Sequence, residues 1–238
     1  MSAREQWFDK FPCKCPKGIS RVHYGTYYGK EKHPEKHKTH LLTQMIIDTK
    51  TQNPKTATSA SEICLLIYQH VLMKFRYLLD EAECVVPIPL HEQHTEHCSD
   101  NCNSRKLDEP HTKGQLLAET LTKTIHDKTG KNIPLYKDVL VRADRTKPKY
   151  VSPTIVERYN YAYKDYKIAE DIKPTVTAVD GTNNLIEGKN ILLIDDILTS
   201  KATTDICSTL LCNNGANKVS ILCAAETFLD PDWKQKRS

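Results

Sequence analysis

The sequence contains little glycine and no long apolar run. Only 8 of its 238 residues are glycine, where a typical soluble protein has roughly 7%. Its apolar runs are far shorter than the roughly 20 residues that a transmembrane helix needs, so we expect no membrane span. Residues 1–11 are charged and lack the apolar core of a secretory signal peptide, so we expect a cytoplasmic protein.

The sequence also has no large excess of positive or negative charge. The 34 basic and 30 acidic residues leave a net charge of +4, which is too small to indicate nucleic-acid binding by itself. Charges of both signs are mixed along the chain, which argues against long disordered segments. The length corresponds to one large domain or two small ones.

What the sequence does contain is an alternation of helical and strand patterns. A capping box at residues 59–62 and apolar residues at helical spacing predict one long helix that ends near Glu83. The apolar segment 84–90, closed by prolines, predicts a buried strand. Residues 189–196, 202–214 and 218–225 predict a strand, a helix and a strand. We therefore expect an α/β fold, with a Rossmann-like parallel sheet flanked by helices.

Two acids, Asp195 and Asp196, stand at the predicted end of the strand over 189–196 and precede a turn rich in hydroxyl groups. Ligands of open parallel sheets bind beyond the carboxyl ends of the strands. The N-terminus of the following helix suits a phosphate, whereas carboxylates suit ribose hydroxyls or a metal. A ribose 5-phosphate carries both kinds of group, so a phosphoribosyl ligand is predicted.

The same segment resembles the signature of type I phosphoribosyltransferases, in which two acids and two further residues precede Thr-Thr/Ser-Gly-Ala/Gly-Thr. The matching residues are Asp195, Asp196, Thr199, Ser200, Ala202 and Thr203. Lys201 stands where the pattern has glycine. If that position requires a positive φ, lysine costs about 1–2 kcal/mol there.

Other segments are similar to the ComF branch of that family (competence protein ComF, amidophosphoribosyltransferase-like). Residues 85–91, Val-Val-Pro-Ile-Pro-Leu-His, resemble its V-x-P-V-P-L-H strand and turn. Residues 114–118 resemble the start of the helix that follows, and residues 141–162 echo its L-x-R…T…Q…R-x-x-N…A-F stretch. Lys149 departs from this pattern, which has glutamine there. The cysteines before Tyr24 resemble a zinc-ribbon-like N-terminus. The resemblance covers about residues 13–225.

The resemblance implies a type I phosphoribosyltransferase fold over residues 51–238, with a small N-terminal cysteine-containing, hood-like subregion over 1–50. Asp195 and Asp196 would hold the ribose hydroxyls of phosphoribosyl pyrophosphate, with Mg²⁺ bound to the ligand. The implied 5′-phosphate loop is Thr199, Ser200, Lys201, Ala202 and Thr203, the pyrophosphate turn is Pro87, Ile88 and Pro89, and the lid contains Arg142, Lys147, Lys149 and Arg158. The implied activity is transfer of the phosphoribosyl group to a nitrogenous acceptor.

Two other functions remain open at this point. A non-catalytic ComF-like protein would bind a phosphoribosyl ligand or single-stranded DNA, and the basic lid would then contact DNA phosphates. A metal-dependent phosphohydrolase that uses the two carboxylates is less favoured, because no further acidic cluster accompanies them.

The nine cysteines fall into two groups. Cys13 and Cys15 form one close pair, and Cys98 and Cys102 form another; four thiolates of this kind suit structural zinc, and the alternative is free thiols in two surface loops. The other five lie in apolar segments and are interpreted as buried packing residues: Cys64, Cys84, Cys207, Cys212 and Cys223.

Overall fold

The computed structural model describes residues 3–51, 56–89, 113–142, 154–169 and 185–228. The helices are Ala3–Lys10 (α1), Pro34–Thr39 (α2), Leu41–Thr51 (α3), Thr56–Lys74 (α4), Tyr77–Glu81 (α5), Lys113–Thr129 (α6), Ile155–Asp165 (α7) and Ala202–Asn213 (α8). The strands are Ile19–Tyr27 (β1), Cys84–Pro87 (β2), Leu140–Arg142 (β3), Tyr166–Ile168 (β4), Asn190–Leu198 (β5) and Lys218–Thr227 (β6).

A four-stranded parallel sheet in the order β1-β6-β5-β2 forms the centre of the molecule. β5 and β6 occupy its two middle positions, and both are apolar on both faces, as is typical of strands covered on both sides. β1 is an edge strand that pairs with β6 from Ile19 to Tyr27. Residues 1–50 therefore contribute a strand to the same sheet as the rest of the chain.

Helices cover both faces of this sheet. The side chains of Leu192 and Ile194 point to one face, where they join a cluster with α3, α4 and α6. Those of Ile191 and Leu193 point to the other face, where they join a cluster with α7 and α8. This alternation follows from the two-residue period of a strand. The predicted α/β class, with a parallel sheet flanked by helices, is confirmed.

Two of the differences from the sequence-based secondary structure concern helices that pack against the core. The single helix expected to end near Glu83 is divided into α4 and α5. Phe75 lies between them and packs against the core, and the new turn brings Leu78 and Leu79 into the core. The helix α7 was not predicted, although a capping box of Thr154 and Glu157 precedes it.

Among the helices of the residues described, none combines the length and the apolar character needed to cross a bilayer.

Candidate functional site

The two acids Asp195 and Asp196 lie inside β5 and not at its end, as was predicted, because the strand runs on to Leu198. β5 continues to Leu198 because it stays paired with β6, where Leu198 faces Glu226. On its other side β5 loses its partner earlier, since β2 ends at Pro87 opposite Ile194. The acids therefore lie just beyond the end of β2 but beside a continuing β6.

Both carboxylates are nearly buried, with 6% of each residue exposed. Adjacent strand residues point to opposite faces, and each carboxylate is also held by the backbone. Oδ1 of Asp195 accepts a hydrogen bond of 2.9 Å from the N–H of Asp196, and Oδ1 of Asp196 accepts one of 2.7 Å from the N–H of Ile197. The thiol of Cys223 lies nearby, and its pKa is raised well above the ordinary value by burial and by these two carboxylates.

A cavity of about 320 Å³ lies between Asp195 and the start of α8. Its walls bring together a carboxylate, the hydroxyl-rich turn, the helix N-terminus and one arginine. The residues that line it are Arg158, Asp195, Ile197, Leu198, Thr199, Ser200, Lys201, Ala202, Thr203 and Thr204. The structure thus gathers the predicted 5′-phosphate loop, one of the acids and one of the predicted lid residues around one space.

Lys201 has a left-handed backbone, with φ 65° and ψ −12°. It is the only residue other than glycine with a positive φ in the described part of the chain. Its Nζ lies 3.0 Å from the carboxylate of Glu226 at the end of β6, and Nε2 of His23 lies 3.1 Å from the same carboxylate. The position where the phosphoribosyltransferase pattern has glycine therefore does adopt the conformation that glycine favours.

We expect Lys201→Gly to be more stable than Lys201→Ala by about 1 kcal/mol. Both variants lose the ion pair with Glu226, so this loss does not contribute to the difference in their free energies of unfolding. The left-handed backbone costs alanine about 1–2 kcal/mol, and the greater freedom of glycine in the unfolded chain offsets part of that gain. Urea unfolding of the two variants measures the difference; equal stabilities would contradict the strain at this position.

The predicted pyrophosphate turn lies beside the acids. Pro87 is the last residue of β2 and Ile88 follows it; both are buried, and the N–H of Ile88 donates a hydrogen bond of 2.9 Å to the carbonyl of Ile194. Pro89 comes next and is half-buried. Parallel pairing thus places this turn next to Asp195 at the carboxyl edge of the sheet.

The four predicted lid residues lie in different places. Arg158 is on α7 and lines the cavity. Arg142 ends β3 and donates a hydrogen bond of 2.6 Å to Asp165; its guanidinium also lies 5.5 Å from the ring centre of Tyr166. Lys147 and Lys149 lie outside the described residues.

A buried polar network behind the loop was not predicted from the sequence. Asp205, in the first turn of α8, is fully buried and forms an ion pair with Arg21 of β1. Its Oδ2 accepts a hydrogen bond of 2.5 Å from the hydroxyl of Tyr159 on α7. The network connects the helix that carries the loop to β1 and to the helix that carries Arg158. No local pattern signals it, because the three residues are distant in sequence.

Three cysteines form a second candidate site at the other end of α8. The sulfur atoms of Cys13, Cys15 and Cys212 all lie within 4.8 Å of one another, so this group could hold a metal ion. Cys15 and Cys212 are disulfide-bonded. Cys212 is buried, as expected, but its interpretation as a packing residue alone was wrong. Cys98 and Cys102, the other predicted zinc ligands, lie outside the described residues.

The other four cysteines interpreted as packing residues are buried and are not part of a disulfide: Cys64, Cys84, Cys207 and Cys223. Burial raises the pKa of Cys64 and that of Cys84 to about 12. At neutral pH these two thiols therefore remain protonated, and a protonated thiol is neither a good nucleophile nor a metal ligand.

Comparison with known proteins adds no relative to this description. Neither the protein-family models nor the curated proteins that were searched contain a match to the chain.

Proposed function

We propose that this protein has the type I phosphoribosyltransferase fold, that its cavity binds phosphoribosyl pyrophosphate with Mg²⁺, and that the phosphoribosyl group is transferred to a nitrogenous acceptor. The observation that carries the proposal is the single cavity that joins Asp195, the turn 199–203 with its left-handed Lys201, and the N-terminus of α8. An acid, a turn rich in hydroxyl groups and a helix N-terminus are the parts that a ribose 5-phosphate requires.

The 5′-phosphate would lie in the turn. The first backbone N–H groups of a helix have no partners inside the helix and attract anions. Thr199, Ser200 and Thr203 line the cavity and provide hydroxyl donors next to those N–H groups. The left-handed backbone of Lys201 supports the same assignment, because it gives this turn the shape for which the family pattern uses glycine.

The ribose hydroxyls would face the carboxylates. Asp195 lines the cavity, and Asp196 follows it in the same strand. A carboxylate accepts hydrogen bonds from two neighbouring hydroxyls, and carboxylate oxygens are also hard donors of the kind that Mg²⁺ prefers. When bound, Mg²⁺ supplies positive charge that balances the pyrophosphate.

The transfer breaks the bond between the anomeric carbon and pyrophosphate and forms a bond from that carbon to the acceptor nitrogen. Positive charge develops on the sugar as pyrophosphate leaves, and preorganised charges stabilise such a state. The carboxylate of Asp195 would face the sugar, and Arg158 and Lys201 are the basic residues that line the cavity.

Binding without transfer is the second candidate. Arg142, expected to close over the substrate, is bound to Asp165 and its side chain is only 13% exposed. Because Arg142 is held by Asp165, it does not contribute to a lid, and this favours binding without transfer. The ligand would then be a phosphoribosyl compound or single-stranded DNA. Lys147 and Lys149 would then provide contacts to phosphate groups.

Calorimetry separates binding of a phosphoribosyl ligand from binding of single-stranded DNA. We expect phosphoribosyl pyrophosphate to bind with Mg²⁺ and to bind at least tenfold more weakly without it, because the pyrophosphate charge is then less balanced. Ribose 5-phosphate should bind more weakly still, since it lacks the pyrophosphate. Absence of heat at millimolar ligand would contradict the proposal. Binding to a single-stranded oligonucleotide that weakens steeply with salt, and is not displaced by phosphoribosyl pyrophosphate, would favour the DNA function.

For the cysteine group, we infer that the metal is structural Zn²⁺. Thiolates are the ligands that Zn²⁺ takes in structural sites, and Cys13, Cys15 and Cys212 provide three. Metal analysis of the reduced protein should find one equivalent of zinc. Loss of that zinc in a Cys98→Ser variant would add Cys98 to the ligand set.

A further inference from the structure

Residues 13–17 are attached to the end of α8 by contacts that do not involve sulfur–sulfur bonds. The N–H of Lys14 donates a hydrogen bond of 3.0 Å to Oδ1 of Asn213, and the N–H of Lys17 donates one of 3.0 Å to the carbonyl of Asn217. These bonds flank Cys15 on both sides. The three sulfur atoms of the group therefore stay close together when the disulfide is reduced.

The reduced group has the geometry of a three-thiolate metal site. With Zn–S bonds near 2.3 Å, the sulfurs of a tetrahedral site lie about 3.8 Å apart, and the three sulfurs here lie within 4.8 Å. Cys212 is buried, whereas Cys13 and Cys15 are half-exposed. One side of the site therefore faces solvent, which leaves room for a fourth ligand and for the approach of a small oxidant.

We propose that Cys13, Cys15 and Cys212 form a redox-controlled metal site, in which bound Zn²⁺ and the Cys15–Cys212 disulfide are mutually exclusive. A disulfide sulfur carries no thiolate charge, so the oxidised group retains only Cys13 as a ligand. One thiolate does not hold a structural zinc, which takes four ligands. The proposal rests on the zinc assignment above and is independent of the phosphoribosyl site.

The oxidant is a low-molecular-weight disulfide, such as oxidised glutathione. The thiolate of half-exposed Cys15 attacks one sulfur of that disulfide; its S–S bond breaks, and one thiolate leaves. The thiolate of Cys212 then attacks the sulfur of Cys15, forms the protein disulfide and releases the second small thiolate. The two cysteines have lost two electrons, the small disulfide has gained two, and Zn²⁺ leaves unchanged in oxidation state.

The test uses the full chain, reduced and loaded with Zn²⁺, and then treated with oxidised glutathione. Released zinc is measured with a colorimetric chelator, and the disulfide is mapped by trypsin and mass spectrometry. Lys14 lies between the two cysteines, so trypsin places Cys13 and Cys15 in separate peptides. We expect one equivalent of zinc to leave as the Cys15–Cys212 linkage appears, and to return after treatment with dithiothreitol and Zn²⁺.

Variants separate zinc binding from disulfide formation. Cys13→Ser should still form the disulfide but bind zinc at least tenfold more weakly, whereas Cys212→Ser should lose the disulfide. Cys207→Ala, on the same helix, is the control that should retain both. If Cys212→Ser does not fold, the wild type and Cys13→Ser still decide the question.

Three results would overturn the redox control. They are zinc that stays bound after the disulfide has formed, oxidation that leaves Cys15 and Cys212 unlinked, and a Cys13→Ser variant that binds zinc like the wild type. Reduced wild type that takes up no zinc would overturn the zinc assignment itself.

Discussion

Asp205→Ala is expected to lower the free energy of unfolding by about 3–5 kcal/mol, the usual cost of removing one partner from a buried ion pair. Asp205 is fully buried, while the side chain of Arg21 is 18% exposed. Without the carboxylate, the largely buried guanidinium of Arg21 would lose the partner of this ion pair, and the hydroxyl of Tyr159 would lose the carboxylate that accepts its hydrogen bond. Chemical denaturation followed by circular dichroism measures the change.

Asp80→Ala provides the matched control. Asp80 forms an ion pair with Arg76 one helical turn away, but both side chains are more than half exposed. Exposed pairs of this kind contribute about 0.3–0.5 kcal/mol, so this variant should be nearly as stable as the wild type. If Asp205→Ala also costs less than about 1 kcal/mol, Arg21 finds solvent in the variant and the network does not hold α8 in place.

The second large effect concerns ligand affinity. Asp195→Asn and Asp196→Asn should each weaken the binding of phosphoribosyl pyrophosphate by about 10- to 100-fold. Hydrogen bonds to a charged group contribute about 1.5–3 kcal/mol, and each 1.4 kcal/mol corresponds to a tenfold change in affinity. Asparagine keeps the shape of aspartate but provides one acceptor oxygen where the carboxylate provides two. Calorimetry with Mg²⁺ present measures the dissociation constants.

Asp80→Asn, an isosteric change at an exposed position of α5, should leave the affinity within twofold of wild type. Thermal unfolding of each variant shows whether a loss of affinity comes from a loss of fold. Should Asp195→Asn and Asp196→Asn both fold and bind like the wild type, the carboxylates do not contact the ligand, and the phosphoribosyl assignment is wrong. A loss confined to Asp195→Asn would leave only the acid that lines the cavity as a ligand contact.

Local sequence patterns determined much of the secondary structure and the position of the candidate site in the chain. The apolar runs of β2, β5 and β6 predicted a parallel sheet. A strand that is covered on both faces has apolar residues at successive positions, without the alternation of apolar and polar residues of a half-exposed strand. The helix α8 was predicted nearly to the residue, since Ile206, Leu210 and Leu211 recur on one helical face and the segment Asn213-Asn214-Gly215 marks its end. The order of acid, hydroxyl turn and helix start was visible because all three lie within ten consecutive residues.

Tertiary structure decided what depends on partners far away in the chain. β5 continues past the acids because β6 still pairs with it there, and the sequence of β5 does not contain that information. The disulfide joins Cys15 to Cys212 across 197 residues, and Asp205 meets Arg21 from a different element. Contacts of this kind form only when packed elements bring distant residues together. The sequence by itself therefore determined which chemical groups are available for binding, and the fold decided which of them contact one another.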